Sequence, residues 1–183
     1  MKKNRRGFTL IELLIVIALL GALAVALLAA LDPLEQIKKG NDTGVRNSVS
    51  EIGEALVRYA AVKQGSMPFS TITWEAVGTD TTGSAYQAVK AAVDIGELKS
   101  DFFSLASGQL TSIFITAVDD PATGIQKAYV CFRPTSKSFI SDSNTKFYTL
   151  AGTAGTMGES TSCPSNGGTN VGGANETCYW CVR

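Results

Sequence analysis

The sequence predicts an α+β protein: one long N-terminal α-helix, half transmembrane and half amphipathic, packed on a small antiparallel β-sheet head. Three observations carry this expectation. From Phe8 to Leu31 the chain is apolar except for small residues, Thr9 and one charge, Glu12. Beyond that stretch, apolar residues keep a helical spacing to about residue 63. From Ile113 onward the spacing changes to alternation, the period of a strand.

The apolar stretch is 24 residues long, and Leu, Ile, Val or Phe fill 15 of its positions. As a helix it measures ~36 Å, enough to cross a ~30 Å hydrocarbon layer with some tilt. Its apolar side chains favour insertion by several kcal/mol, which outweighs the roughly 3 kcal/mol cost of a central acid. Lys2, Lys3, Arg5 and Arg6 precede the span, and Asp32 and Glu35 follow it. This asymmetry places the N-terminus in the cytoplasm. A secretory signal peptide is the competing reading, because Ala22-Leu23-Ala24 and Ala24-Val25-Ala26 resemble small-residue cleavage sites. The stretch is too long for an h-region, and an acid inside one is unusual. A plain anchor accounts for everything except Glu12 and the Gly7-Phe8 junction.

Those residues belong to a longer signature. Arg6-Gly7-Phe8-Thr9-Leu10-Ile11-Glu12-Leu13-Leu14-Ile15-Val16 resembles the processing and assembly motif of type IV prepilins and pseudopilins. With the helical continuation, the resemblance covers about a third of the chain. It implies cleavage after Gly7 by a membrane aspartic peptidase (the prepilin peptidase), N-methylation of Phe8, and polymerisation into a helical filament outside the cell. It also implies a pilin-like fold, in which a helix lies across an antiparallel sheet. The chain then divides into a leader over 1–7, a long helix over 8–63 with its hydrophobic part at 8–31, and a head over 64–183.

Cleavage would remove the four leader cations and create an amine at Phe8, one helical turn from Glu12. An unpaired charge in an apolar setting costs several kcal/mol, so the carboxylate needs a partner. Two partners remain open: the amine and N-terminal N–H groups of its own chain, or, as the resemblance implies, the amine of a neighbouring subunit. The second would set the axial register between subunits.

The polar continuation carries Val45, Val49, Ile52, Leu56 and Tyr59 at steps of four, three, four and three, one stripe of an amphipathic helix. Leu34 and Ile37 extend the stripe backwards. Pro33 predicts a kink near residues 29–33. Gly21, Gly40, Gly44 and Gly53 each lower helicity by roughly 1 kcal/mol relative to Ala. The resemblance adds that the segment between Gly21 and Pro33 can melt on assembly. Gln36 to Thr43, with Gly40, Asn41 and Asp42, is the weakest stretch outside the membrane, and a full break there is an expectation.

In the head, Tyr86, Val89 and Val93 predict a helix over Ser84–Leu98, and Asp101–Leu105 predicts another turn of helix. Ile113, Ile115 and Ala117 alternate with Phe114, Thr116 and Val118 as a strand. A turn follows at Asp119-Asp120-Pro121-Ala122-Thr123-Gly124. Ile125–Arg133 is the next strand, with Ala128, Val130 and Phe132 on one face and Tyr129 and Cys131 on the other. Phe139-Ile140 and Lys146–Leu150 read as further strands. Ala151–Glu176 reads as a loop rich in Gly, Ser and Thr, and Tyr179–Val182 closes the sheet. The result is a short antiparallel meander, and the amphipathic half of the long helix is its cover.

Four cysteines, Cys131, Cys163, Cys178 and Cys181, lie on the exported side, where disulfides persist. Cys178 and Cys181 would point to opposite faces of one strand. The preferred pairs are therefore Cys131–Cys181 and Cys163–Cys178. A four-cysteine zinc site would have only one Cys-x-x-Cys pair, and a thioredoxin-like role lacks the helix that should follow.

There is no histidine, no phosphate-binding glycine loop and no catalytic constellation, so neither an enzyme nor a cofactor is expected. The chain carries 16 basic and 16 acidic residues. Loss of the four leader cations leaves an acidic surplus with no basic cluster in the head, which disfavours nucleic acid as a partner. The expected partners are other copies of the chain, the prepilin peptidase, the pilus assembly machinery and membrane lipid before assembly. The expected function is a filament subunit. A pseudopilin of a secretion or competence machine and a minor adhesive pilin are the alternatives.

Overall fold

The structure, a computed structural model, describes residues 7–30, 32–69, 74–78, 80–119, 126–149, 157–159 and 178–182. The chain divides into two units, Met1–Ile37 and Lys38–Arg183.

In the first unit, α1 spans Leu10–Ala30. It is apolar all round apart from Glu12, and its large side chains are exposed along its length. A helix with no polar face is suited to an apolar medium rather than to one side of a core. Leu10–Leu28 is long and apolar enough to cross a membrane. A second helix, α2, spans Pro33–Val62. Asp32 caps it: its carbonyl accepts the Gln36 N–H at 3.3 Å and its Oδ1 accepts the Glu35 N–H at 3.2 Å. Pro33 is therefore the first residue of a capped helix, where its missing N–H costs nothing. Leu34 and Ile37 are exposed and do not join the buried stripe.

No break occurs at 36–43, where α2 is continuous. Tertiary bonds override the poor local propensity. Asp42, only 3% exposed, accepts the Thr135 amide at 2.9 Å, the Thr135 hydroxyl at 2.9 Å and the Ser136 amide at 2.7 Å.

The second unit is built on a six-stranded antiparallel sheet: β1 Glu75–Ala76, β2 Ile113–Asp119, β3 Gln126–Phe132, β4 Thr145–Thr149, β5 Met157–Glu159 and β6 Tyr179–Val182. Their order is β1-β2-β3-β6-β4-β5. The mixed helix and antiparallel sheet make this an α+β layout. The meander expectation is corrected here, because the last strand enters the middle of the sheet. The reason lies in the β3–β4 connection. It is a wide excursion through Pro134 and a short helix, anchored to α2 by Asp42, and it leaves β3 open to β6. β5 also falls inside the stretch read as loop.

Three further elements differ from expectation. Phe139-Ile140 is not a strand but part of α5, Lys137–Ile140, in which Ser136 Oγ accepts the Phe139 N–H at 3.4 Å. The helix expected to reach Leu98 stops earlier, as α3, Ser84–Asp94. Gly96 adopts φ +84°, and the bonds Glu97 N–H to Ala92 O and Gly96 N–H to Val93 O close the end. This paired pattern favours glycine, which has no Cβ to clash there. β1 was not expected. The expected turn of helix near 101–105 is α4, Phe102–Leu105, and a 3-10 turn, Leu110–Ser112, leads into β2. The turn expected over 119–124 lies largely outside the described residues.

One face of the sheet packs under α2. Val49, Ile52 and Leu56 share a core with Ile113, Ile115, Val130, Phe132 and Trp180. Gly53 permits a close approach, since a Cβ there would stand 2.6 Å from a Val182 methyl. On the other face, Trp74, Tyr129 and Tyr179 cover Cys131 and Cys181. Trp74 stacks on Phe114 at 5.4 Å and meets Tyr179 edge-on at 4.5 Å. At the far end of α2, Arg58 Nε reaches Glu97 Oε2 at 2.8 Å, and its Nη2 donates to the Glu97 carbonyl at 3.1 Å.

Candidate assembly site

The residues singled out at the N-terminus lie on the approach to α1 and its first turn. Gly7 and Phe8 precede α1 and are exposed, Phe8 to 82%. Thr9 is the cap of α1. Its carbonyl accepts the Leu13 N–H at 3.2 Å, and its hydroxyl accepts the Glu12 N–H at 3.3 Å. Glu12 answers: its Oε2 accepts both the Thr9 N–H and the Thr9 hydroxyl at 2.8 Å. This reciprocal arrangement is a capping box, Thr-x-x-Glu, which satisfies donors that a helix start leaves orphaned. Both bonds end on Oε2. Among the described residues Oε1 has no hydrogen bond, so half of the carboxylate is free to accept a cation.

The sequence carries this signal as Thr-x-x-Glu at Thr9-Leu10-Ile11-Glu12, which the expectation of an apolar run broken by an acid in need of a partner leaves out. Part of that need is met within one helical turn. Asp32-Pro33-Leu34-Glu35 is the same kind of start signal, with Asp at the cap and Pro at the first helical position.

The remaining candidates are dispersed. Gly21 lies within α1, and a Cβ there would meet nothing within 4 Å, so no packing requirement among the described residues explains it. Pro33 opens α2. Cys131 and Cys181 are bridged, 50 residues apart in sequence and directly opposite each other in the β3–β6 ladder. Cys178 is buried and disulfide-bonded. Cys163, expected as its partner, lies outside the described residues.

Residues 2–28 match the family described as the prokaryotic N-terminal methylation motif. The chain carries the type IV prepilin-like signal. That signal spans the leader cations, the Gly7-Phe8 junction, the capping box and most of α1. It marks structural pilin-type precursors, and it supports a type IV pilin-like or pseudopilin precursor. An apolar helix bearing it is consistent with membrane anchoring. No curated protein and no solved structure matches the chain.

Proposed function

We propose that this chain is a structural subunit, not an enzyme. A prepilin peptidase removes residues 1–7, Phe8 is N-methylated, and the mature chain polymerises through α1 into an extracellular type IV pilus. The single observation that carries this reading is the prepilin-like signal on an apolar helix with Glu12 in its first turn. Before assembly the helix rests in the cytoplasmic membrane with its N-terminus on the cytoplasmic side, held by lipid. After cleavage the Phe8 ammonium of one copy meets Glu12 of another. The half-free carboxylate supports this, because the capping bonds use one oxygen and leave the other for a neighbour.

Association in lipid gains nothing from hydrophobicity alone, so polar pairs and close packing must supply specificity. A buried ammonium–carboxylate pair does so by penalising any register that leaves either charge alone. Pro33 at a capped helix start and Gly21 in an uncrowded position support the proposal that the intervening segment can unwind when subunits pack. The second bridge of the head is proposed as Cys163–Cys178.

Mass spectrometry of the mature chain tests the processing step. The expected mass begins at N-methylated Phe8, and a start near Ala26 would indicate an ordinary signal peptide instead. Electron microscopy of sheared surface material tests the product. Long filaments of this chain are expected, whereas a short periplasmic assembly would identify a pseudopilin.

A further inference from the structure

Assembly through α1 leaves open what sets the register between the α2 segments of neighbouring copies. α2 carries an arginine and an acid that form no ion pair among the described residues. Arg46 is exposed, and its guanidinium lies over the rings of Trp180 at 5.2 Å and Phe139 at 5.8 Å. No ion pair reaches it among the described residues, and none reaches Glu51, which is also exposed. Glu54 already has Arg58 at 3.5 Å. Lys99 lines the recess beside Glu51 without forming an ion pair with it.

Within one copy Arg46 and Glu51 cannot meet. Helix neighbours are three or four residues apart. These two are five apart and about 140° apart around the helix. Between them the buried stripe of Val49 and Ile52 faces the sheet, so the two charges lie on opposite flanks of the exposed surface of α2. An open, growing polymer needs this kind of layout, with two different patches that each find the other on the next copy.

We propose that Arg46 of one copy pairs with Glu51 of the next, forming a second electrostatic joint along α2. The inference rests on the assembly reading above. Two arguments carry it. The charges are complementary, and neither has an ion pair among the described residues. The arginine is already ordered by stacking on two rings, so a bidentate contact with a carboxylate costs it little further freedom. Complementary charges on separate flanks of α2 favour one register between copies, which is where electrostatic complementarity acts most strongly.

The test uses the full chain in a bacterium that supplies the peptidase and the assembly machinery. Glu51→Arg changes an exposed side chain and should lower the yield of sheared filaments at least tenfold. Adding Arg46→Glu in the same chain should restore the yield to within about threefold of the parent. Arg46→Glu removes the stacking on Trp180 and can weaken the head by itself, so a second measurement is needed. A chain with both Arg46→Cys and Glu51→Cys should give a ladder of covalent multimers on mild oxidation of filaments, and neither single variant should. A cysteine ladder supports the joint even if the charge swap fails to restore yield. Parent-like filaments from Glu51→Arg overturn the joint alone, as does a loss of filaments with neither rescue nor ladder. A parent that forms no multimer at all sinks the assembly reading and this inference with it.

Discussion

The carboxylate of Asp42 receives the backbone N–H of Ser136 at 2.7 Å, joining residues 94 positions apart. Its other partners are the amide and hydroxyl of Thr135. One side chain therefore fastens the β3–β4 connection to α2. It also starts α5, because Ser136 is that helix's cap.

Removing the acid leaves the buried Ser136 amide, and the less buried amide and hydroxyl of Thr135, without this acceptor. Hydrogen bonds to charged groups contribute roughly 1.5–3 kcal/mol, and orphaned partners add to the loss. Asp42→Ala should destabilise the head by about 3 kcal/mol, and Asp42→Asn by less. Urea unfolding of the full chain in detergent, followed by tryptophan fluorescence, checks this. An unchanged midpoint for Asp42→Ala would show that the connection is held elsewhere.

The bridge between Cys131 and Cys181 closes a loop of 50 residues across the central β3–β6 pair. Chain entropy gives such a closure roughly 4 kcal/mol. The double variant Cys131→Ser/Cys181→Ser should lose most of that. Because β6 places Trp180 in the core, near-UV circular dichroism should fall together with stability.

Gly53→Ala sets two effects against each other. Helix propensity favours alanine by about 1 kcal/mol. The new Cβ would stand 2.6 Å from a Val182 methyl on a strand whose Cys181 is bridged to β3. Valine is stiff about χ1, and overpacking costs about 1–3 kcal/mol. A net loss of about 1 kcal/mol is expected, seen as a fall of roughly 3 °C in Tm. A rise in Tm would mean that the helix and sheet separate freely at this point.

Thr9 holds the first turn of α1 through the capping box. Thr9→Ala should cost about 1 kcal/mol there. In micelles, amide exchange at residues 10–13 should quicken about fivefold, the equivalent of that energy. Thr9→Ser should restore slow exchange, because the hydroxyl is the working group.

Burial pushes the phenol of Tyr179 above its usual 10.0, while its hydrogen bond with Trp74 and the charge of Arg133 pull it down. The folded state therefore keeps this proton where the unfolded chain has released it. Tyr179 contributes fully below about pH 10, and its contribution is lost as pH rises through the higher folded value. Alkaline titration of stability should show a decline that Tyr179→Phe removes. A decline of equal size in Tyr179→Phe would assign it to another group.

Much of this protein could be read from residue order alone. Period and polarity are local properties. Phe8–Leu31 reads as a span because its composition leaves no polar face. The stripe through Val49, Ile52 and Leu56 and the alternation of Ile113–Ala117 and Ala128–Phe132 read as core faces because 3.6 and 2 residues per turn sort side chains whatever lies opposite. The prepilin-like signal is also local. Other features depended on partners distant in the chain. Asp42 looked like a helix breaker until Thr135 and Ser136 were placed beside it. β6 entered the middle of the sheet because the β3–β4 connection swings wide, which no local pattern encodes. Phe139, alone a fair strand residue, became helical once Ser136 was anchored and could cap it. Sequence by itself determined which faces must be buried and where the prepilin-like signal and the apolar helix lie. Only the tertiary structure decided strand order and the part played by each polar side chain, because pairing and hydrogen-bond satisfaction are settled between residues that meet only when the chain has folded.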